Sequence, residues 1–279
     1  MYIKSEFTCW FYIDIYLVSE WFFKKFLSYL KTNYSISVIF QNKSALVFLK
    51  VKMTEGTKAS FKPEDFELRS LQGKDYTEIL ELFREHFLPR EQISIGLELP
   101  VEEHVLSFQD HLKTWRECEA SVCAVYVPTQ EIVGALLTKL LTRNDPETFG
   151  KEENFSKYSS KLQMLLKILN HIESTVNIFE DEKLEKVLEL AAITVNPKFS
   201  GQRIVYRLIE ETEKRARQMG CQLITTQAAN IISQHVFVKA GYETISEVDY
   251  ETLELDGKRP LKVSNMNGTT KAIVVKKYL

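Results

Sequence analysis

The stretch VNPKFSGQRIVYRLIEE, residues 195–211, combines a strand end, a short turn and a helix start. The first backbone N–H groups of a helix lack partners, and with the helix dipole they favour an anion such as a pyrophosphate. Phosphate-binding turns are usually rich in glycine, because the backbone must approach the ligand closely. This turn holds only Gly201, with Arg203 and Val205 beside it. It is therefore either a phosphate-binding turn or an ordinary strand–helix turn with Ser200 as the N-cap.

A second stretch, NIISQHVFVKAGY, sets five residues at fixed spacing: Asn230, Ser233, Phe237, Gly241 and Tyr242. Together with the first stretch it resembles the GNAT superfamily of N-acetyltransferases, whose pattern here is Asn-x-x-Ala-x-x-x-Tyr-x-x-x-Gly-Phe. All the spacings fit, with Ser, Phe and Tyr in place of Ala, Tyr and Phe. The family's phosphate loop, Gln/Arg-x-x-Gly-x-Gly/Ala, falls on residues 200–205, and its three signature positions all differ.

A third stretch, LFREHFLPREQISIGLEL, resembles the start of the insect arylalkylamine N-acetyltransferases, whose phrase is close to HFFPDEPL. The similarity runs from about Phe66 to the C-terminus. It implies an α/β fold with a mixed sheet, the acyl-CoA N-acyltransferase (GNAT) fold, in which two central strands splay apart. Those strands would end near Val195 and Gln227.

The resemblance also implies acetyl-CoA as co-substrate, lying in the splay, and no metal. The pantetheine would pair with strand backbone, and the pyrophosphate would bind amides of the turn. The residues expected to bind the cofactor are Ile193, Thr194, Val195, Ser200, Gly201, Gln202, Arg203, Ile204, Val205, Asn230, Ser233 and Phe237.

Two catalytic residues follow from the same resemblance. An ammonium ion has no lone pair, so the amine needs a base, and the glutamate proposed for this role in the insect enzymes falls on Glu91. Ser233 matches one of a pair of serines and either steers the amine, contacts the thiol or merely caps a turn. Phe237 replaces the tyrosine with which many members protonate the leaving thiolate. His111 and His235 are alternative bases, although a lone histidine is more often structural or exposed.

The segment HFLPRE and the helix after it are expected to form the amine tunnel, with walls from Phe87, Leu88, Ile93, Ile95 and Leu97. These side chains suit an apolar group but do not select one amine. Two functions stay open: an N-acetyltransferase acting on a small amine, and a degenerate member that binds a ligand or partner without turnover. Acetylation of protein lysines would require an open peptide groove, of which the sequence gives no sign.

The composition and net charge of the chain limit the classes of partner that it would attract. The chain has 279 residues, 44% of them apolar, and a net charge of −2, which gives no general attraction to nucleic acid or to an anionic membrane. Four cysteines form no CxxC pair. They predict reduced thiols in a cytosolic protein rather than a disulfide framework or a zinc site.

The first fifty residues hold 14 of the 32 aromatic residues and neither glycine nor proline. Charged residues such as Asp14 and Glu20 interrupt the apolar run, which stays below the ~18 residues of a membrane span. The segment is an amphipathic helix, a membrane-proximal anchor or an extension, 1–55, outside the working domain. No firm membrane association is expected. Met53, before a polar stretch, resembles a domain beginning, and the N-acetyltransferase domain is predicted over 60–279.

Hydrophobic periodicity over that range predicts a strand, two helices, a hairpin, a helix, a strand, a helix, a strand, a helix and final strands. A largely apolar strand, VLELAAITV, followed by a helix and CQLITTQA forms one strand–helix–strand crossover. Gly220 is expected to end the crossover helix.

Overall fold

The structure is a computed structural model that describes residues 7–14, 46–53, 61–145 and 152–279. Contacts divide the chain into two compact units, Met1–Phe61 and Lys62–Leu279. In the first unit, β1 (Phe7–Asp14) pairs antiparallel with β2 (Leu46–Met53).

One interpretation of the sequence, that the first fifty residues form an amphipathic helix, is wrong for Phe7–Asp14. They form a strand, as their aromatic and β-branched residues favour. The rest of that predicted helix lies outside the described residues.

The second unit is built on a seven-stranded sheet in the order β3–β4–β5–β6–β7–β9–β8. The strands are β3 (Phe66–Ser70), β4 (Val122–Tyr126), β5 (Glu131–Thr142), β6 (Lys186–Val195), β7 (Leu223–Ala228), β8 (Glu243–Asp249) and β9 (Lys271–Tyr278). Neighbouring strands are antiparallel except β6 and β7, which are parallel. The predicted mixed α/β fold and its single crossover are confirmed.

Six helices accompany this sheet in the described residues: α1 (Tyr76–His86), α2 (Gln92–Leu97), α3 (Val101–Trp115), α4 (Ser160–Ser174), α5 (Ile204–Gln218) and α6 (Ile231–Lys239). The sequence did not predict α2, because six residues are too few to show a helical period. Gly220 follows the end of α5 with a φ of 75°, as expected for a C-terminal cap. None of the described helices combines the length and apolar character required to cross a bilayer.

The helices cover both faces of the sheet. A Cβ on Gly134 would lie 3.4 Å from Ile204 of α5, whereas the next residue, Ala135, packs with residues of α1 and α3. Successive strand residues point to opposite faces, so α5 lies opposite α1 and α3. A second core cluster joins α2 and α4 to β9 through Ile93, Leu165 and Val274.

The two parallel strands separate toward their C-terminal ends. Only three residue pairs join β6 to β7, and the last is Glu189 with Thr225. At the point of separation, the Thr226 hydroxyl donates to the Leu190 carbonyl over 2.7 Å. A register shift between β5 and β6 makes Ala191 a bulge at the same level. This splay, which the resemblance implied, is confirmed and opens a fork in the sheet.

Candidate active site

A cleft of about 660 Å³ occupies the fork between β6 and β7. Its wall comes from the end of α1, the segment around Glu91, the turn before α5, the start of α6 and the loop before β9. Fourteen of the residues expected in the site line it: Phe87, Glu91, Ile95, Ile193, Thr194, Val195, Ser200, Gly201, Arg203, Ile204, Val205, Asn230, Ser233 and Phe237.

Four expected residues do not line the cleft: Leu88, Gln202, Ile93 and Leu97. Leu88 is 2% exposed and packs with residues of α1 and α3. Ile93 and Leu97 belong to the core cluster beneath α4. Each is two positions from Ile95, about 200° around the helix, so they point away when Ile95 faces the cleft.

The cleft wall also contains polar residues that were not predicted: His86, Arg90, Gln92, Tyr206, Thr226, Gln227, Asn267 and Thr269. Asn267 and Thr269 lie in a loop 25 to 27 residues after Tyr242, where the last predicted motif ends, and no local pattern indicates that the loop folds back. The sequence could have indicated Gln227 as a site residue, because it is a polar residue near the end of a strand that was predicted to splay.

The turn before α5 concentrates unpaired backbone donors. Gly201 and Arg203 have φ angles of 83° and 56°, on either side of Gln202. Within the described residues, the N–H groups of residues 201–205 make no hydrogen bond, and the helical ladder begins with the Tyr206 N–H donating to the Arg203 carbonyl. Such left-handed residues turn successive amides toward one side, where they form an anion-binding concavity.

The alternative reading of this turn, with Ser200 as the N-cap of α5, is not what the structure shows. Arg203 holds the N-cap position. Ser200 closes the preceding short turn, and its N–H donates to the Pro197 carbonyl. Gly201 and Arg203, which carry two of the unpaired amides, line the cleft.

Across the cleft, Glu91 is the N-cap of α2. Its carboxylate accepts hydrogen bonds from the backbone amides of Ile93, over 3.0 Å, and Ser94, over 2.6 Å. Burial raises the pKa of Glu91, while the hydrogen bonds from Ser94 and Ile93 oppose the rise. The net result is a carboxyl group that holds its proton more tightly than an exposed glutamate does.

Behind Glu91, the Ser94 hydroxyl lies 3.0 Å from Nδ1 of His104. Burial lowers the pKa of His104 to about 4, and the nearby His111 makes a smaller contribution in the same direction. The imidazole is therefore neutral near pH 7. It supports the segment that carries Glu91 without placing a positive charge beside the carboxylate.

A family model describes the chain independently of this geometry. The model of the acetyltransferase (GNAT) family matches residues 95–242, more than half of the chain. The chain belongs to this GNAT family.

Solved structures show the same fold. Arylalkylamine N-acetyltransferase 2 from Aedes aegypti has a TM-score of 0.69 and 23% sequence identity, over 77% of this chain and 99% of that one. The polyamine N-acetyltransferase of Drosophila melanogaster has a TM-score of 0.68 and 20% identity, over 77% and 100%. The C-terminal condensation domain of Ebony, in complex with beta-alanyl-dopamine, has a TM-score of 0.63 and 19% identity, over 77% and 99%.

Arg203, which the family resemblance aligns with the first glycine of the phosphate loop, has a left-handed φ of 56°. A left-handed φ costs a non-glycine residue about 1–3 kcal/mol. Its exposed guanidinium lies 5.6 Å from the ring centroid of Tyr206, and Nζ of Lys239 lies 5.8 Å from the same ring. The nearby Arg207 is engaged elsewhere and donates to the carbonyls of Pro63 and Phe66. Arg203 and Lys239 therefore bring positive charge to the mouth of the GNAT cleft.

The motif at α6 has a structural role. The Asn230 side chain caps α6 by accepting from the amides of Ile232 and Ser233, each over 2.9 Å. The Ser233 hydroxyl lines the cleft and donates to the Asn230 carbonyl over 2.9 Å, so it is still able to accept a hydrogen bond. Phe237, 2% exposed, packs against Tyr242 and offers no proton.

The two alternative bases do not line the GNAT cleft. Nδ1 of His111 lies 2.8 Å from the Ser107 carbonyl, and its ring stacks on Trp115. His235 is exposed on α6. Among the described residues, no group of three or more His, Cys, Asp or Glu is arranged to hold a metal ion.

Proposed function

We propose that the chain is an acetyl-CoA-dependent N-acetyltransferase that transfers the acyl group directly to a small amine with an apolar body, of the arylalkylamine type. The observation that carries the proposal is the shared cleft. It brings the unpaired amides of residues 201–205 and the Glu91 carboxylate to one fork in the sheet. Membership of the GNAT family supports acyl transfer as the reaction.

The residues present fit coenzyme A. The amides of residues 201–205 would hold the pyrophosphate, and Arg203 and Lys239 supply nearby positive charge. Beyond Leu190, β6 pairs with β5 on one edge and has lost β7 on the other. This edge includes Ile193, Thr194 and Val195, which would pair with the amides of the pantetheine.

When bound, acetyl-CoA supplies the thioester. Glu91, directly or through water, takes a proton from the ammonium group, and its raised pKa brings it closer to neutral pH, where a base works best. The freed nitrogen would then attack the thioester carbon, the C–S bond would break, and the nitrogen's second proton would pass to the leaving thiolate or to water. A thiol has a pKa of about 8.5, so a thiolate leaves without a strong acid beside it, and Phe237 is compatible with turnover.

The amine side of the cleft supports an apolar substrate body. Phe87 and Ile95, each four residues from Glu91 in the chain, line the cleft together with Val236 and contribute hydrocarbon surface. Ser233 is placed to accept a hydrogen bond from the amine or the thiol. One relative of the same fold carries the name arylalkylamine N-acetyltransferase, which agrees with this substrate class.

The second candidate function, a GNAT domain that binds a ligand without efficient turnover, rests on the phosphate turn. Arg203 holds a left-handed conformation that suits glycine, and Val205 adds bulk where the family has a small residue. Both departures predict weakened cofactor binding.

The proposed function requires two steps, binding of acetyl-CoA and transfer of its acyl group to an amine. Calorimetry with acetyl-CoA tests the first step, and no heat at millimolar acetyl-CoA would reject the proposed function. A thiol-release assay with phenethylamine, tyramine, tryptamine, histamine, agmatine and spermidine tests the second. Binding without turnover of any of these amines would favour the second candidate.

A further inference from the structure

Gln227 has a buried side-chain amide that the proposed chemistry leaves unused. Both its Oε1 and its Nε2 are buried, and neither has a hydrogen-bond partner within the described residues. Native proteins rarely leave such a group unpaired, and each instance calls for a ligand or a water molecule. Gln227 also lines the cleft, two residues beyond Thr225, the last residue of β7 that pairs with β6. The residue thus borders the cleft while its amide is covered, and a rotation of the side chain would bring the amide to a molecule in the cleft.

The register of the sheet shows on which face this amide lies. Gln227 is the direct partner of Val274 across β7 and β9. Directly opposed residues project from the same face of a sheet. Val274 packs in the core beneath α4, together with Ile93 of α2. The Gln227 side chain thus lies on the face that carries Glu91 and the proposed amine site, opposite the face covered by α5.

Charge along the cleft limits what the amide would bind. Glu91 is the only carboxylate among the described residues that line it. Glu91 is already assigned to the reacting amine, so a second positive charge on the substrate would lack a partner. The amide of Gln227 is uncharged, both donates and accepts hydrogen bonds, and therefore complements a hydroxyl group.

Gln92 contributes another side-chain amide to the cleft wall, and that amide already makes hydrogen bonds within the protein. Nε2 of Gln92 donates to the Arg90 carbonyl over 2.8 Å, and its Oε1 lies 3.5 Å from Nδ2 of Asn267. Gln92 is thus held by its surroundings, whereas Gln227 is not.

We infer that Gln227 is a specificity-determining residue, which hydrogen bonds a neutral hydroxyl group on the acyl-accepting amine. The inference rests on the proposed function. It narrows the substrate class to monoamines with a hydroxyl group away from the nitrogen, and it disfavours polyamines.

Tyramine and phenethylamine test this inference, because they differ only in the ring hydroxyl. We expect kcat/KM for tyramine to exceed that for phenethylamine by about 10-fold or more. Gln227→Leu removes the amide and keeps a side chain of similar size, so the ratio is expected to fall to about 1 through loss of tyramine activity alone. The melting temperature of the variant is expected to hold or rise, since an unpaired buried amide has been removed. Gln227→Met, a second apolar variant, is expected to give the same ratio.

Gln218→Leu is the matched control, because Gln218 is exposed on α5 and does not line the cleft. It is expected to leave the ratio unchanged. An unchanged ratio in both Gln227 variants overturns the inference, and so does an equal loss for both amines with weaker coenzyme A binding, which would assign the amide to the cofactor.

Calorimetry with the two amines gives a readout that does not require turnover. Tighter tyramine binding that Gln227→Leu abolishes, in a protein without turnover, would support the contact between Gln227 and the hydroxyl group and reject the proposed function. Absence of binding by either amine at millimolar concentration would reject the inference. Turnover with a ratio insensitive to Gln227 would reject the inference and leave the proposed function standing.

Discussion

The Ser94 hydroxyl lies 3.0 Å from Nδ1 of His104, and the backbone amide of the same serine donates to Glu91 over 2.6 Å. One residue therefore joins the proposed base to a buried imidazole on α3. Because burial keeps that imidazole neutral, it fixes the position of α2 without competing for the amine's proton. The Ser94 amide therefore both positions Glu91 and opposes the rise in its pKa that burial causes.

Replacing Glu91 by glutamine is expected to lower kcat/KM by about 100- to 10,000-fold at neutral pH, the range that general bases contribute. Glutamine retains one oxygen, which can accept from one of the Ile93 and Ser94 amides, so α2 keeps one of its two cap hydrogen bonds. Steady-state kinetics measure the loss, and circular dichroism checks the fold. Glu102→Gln, at an exposed position on α3, is the matched control and is expected to change neither. Unchanged rates in Glu91→Gln would remove Glu91 from the role of base.

The same substitution is expected to change how stability depends on pH. Burial raises the pKa of Glu91 in the folded state, so this group contributes stability that is present below its unfolded pKa and lost as pH rises through its folded pKa. The free energy of unfolding of the wild type, minus that of Glu91→Gln, should therefore decrease with rising pH. Urea denaturation at intervals from pH 4 to pH 9 measures the difference. A difference that increases with pH would show that the folded protein lowers the pKa of Glu91.

His104 predicts the opposite dependence at acid pH. Its pKa falls from 6.5 to about 4 on burial, so its contribution to stability is present above 6.5 and lost as pH falls toward 4. The free energy of unfolding is expected to fall by about 3 kcal/mol over this range, because each unit of pKa shift corresponds to about 1.36 kcal/mol.

The variant that tests this is His104→Asn, which places a polar atom near the position of Nδ1 and does not titrate. Its free energy of unfolding is expected to lack this fall, and urea denaturation between pH 7 and pH 4 measures it. Parallel curves for the two proteins would contradict the prediction.

Arg203 affects coenzyme A binding in two separable ways. Arg203→Ala removes the charge and keeps the left-handed strain, and it is expected to weaken coenzyme A binding about 10- to 100-fold, as loss of a charge-assisted contact of about 1.5–3 kcal/mol implies. Arg203→Gly also removes the strain and is expected to bind more tightly than the alanine variant. Calorimetry at two salt concentrations measures both effects. Lys214→Ala, an exposed lysine on α5, is the control, and tighter binding by Arg203→Ala would show that the arginine obstructs the site.

Val205 is partly buried in the cleft wall, where the family pattern has a small residue. Val205→Ala is expected to tighten coenzyme A binding about 10-fold by relieving overpacking, which typically costs about 1–3 kcal/mol. Val205→Leu should weaken binding, and Val238→Ala, exposed on α6, should leave it unchanged. If binding weakens in Val205→Ala, the valine contributes favourable contact with the cofactor.

The order of the longer strands and helices after Phe66 was predictable, because the helices repeat their apolar residues with a clear period and the buried strands are largely apolar runs. The strand VLELAAITV and the helix after it are examples, since the structure places them at Lys186–Val195 and Ile204–Gln218. The splay between β6 and β7 came from the family resemblance. Nothing in the residues around Thr225 indicates that pairing stops there.

Two features of the site were beyond sequence reasoning for physical reasons. The six residues of α2 make fewer than two turns, so the sequence did not separate Ile95, which faces the cleft, from Ile93 and Leu97, which face the core. The unpaired state of the Gln227 amide depends on distances to every neighbouring chain segment. Arg203 was recognised as an unusual residue, but its left-handed φ is a property of the folded turn.

The fork has a consequence for the resilience of the fold. Within the described sheet, backbone pairing between the β3–β6 part and the β7–β9 part is limited to three residue pairs. A ligand whose main-chain-like amides bridge that gap would act as a replaceable eighth strand. The concentration of that ligand would then set how often the two parts of the sheet separate transiently. Amide hydrogen exchange on either side of the gap would measure this opening.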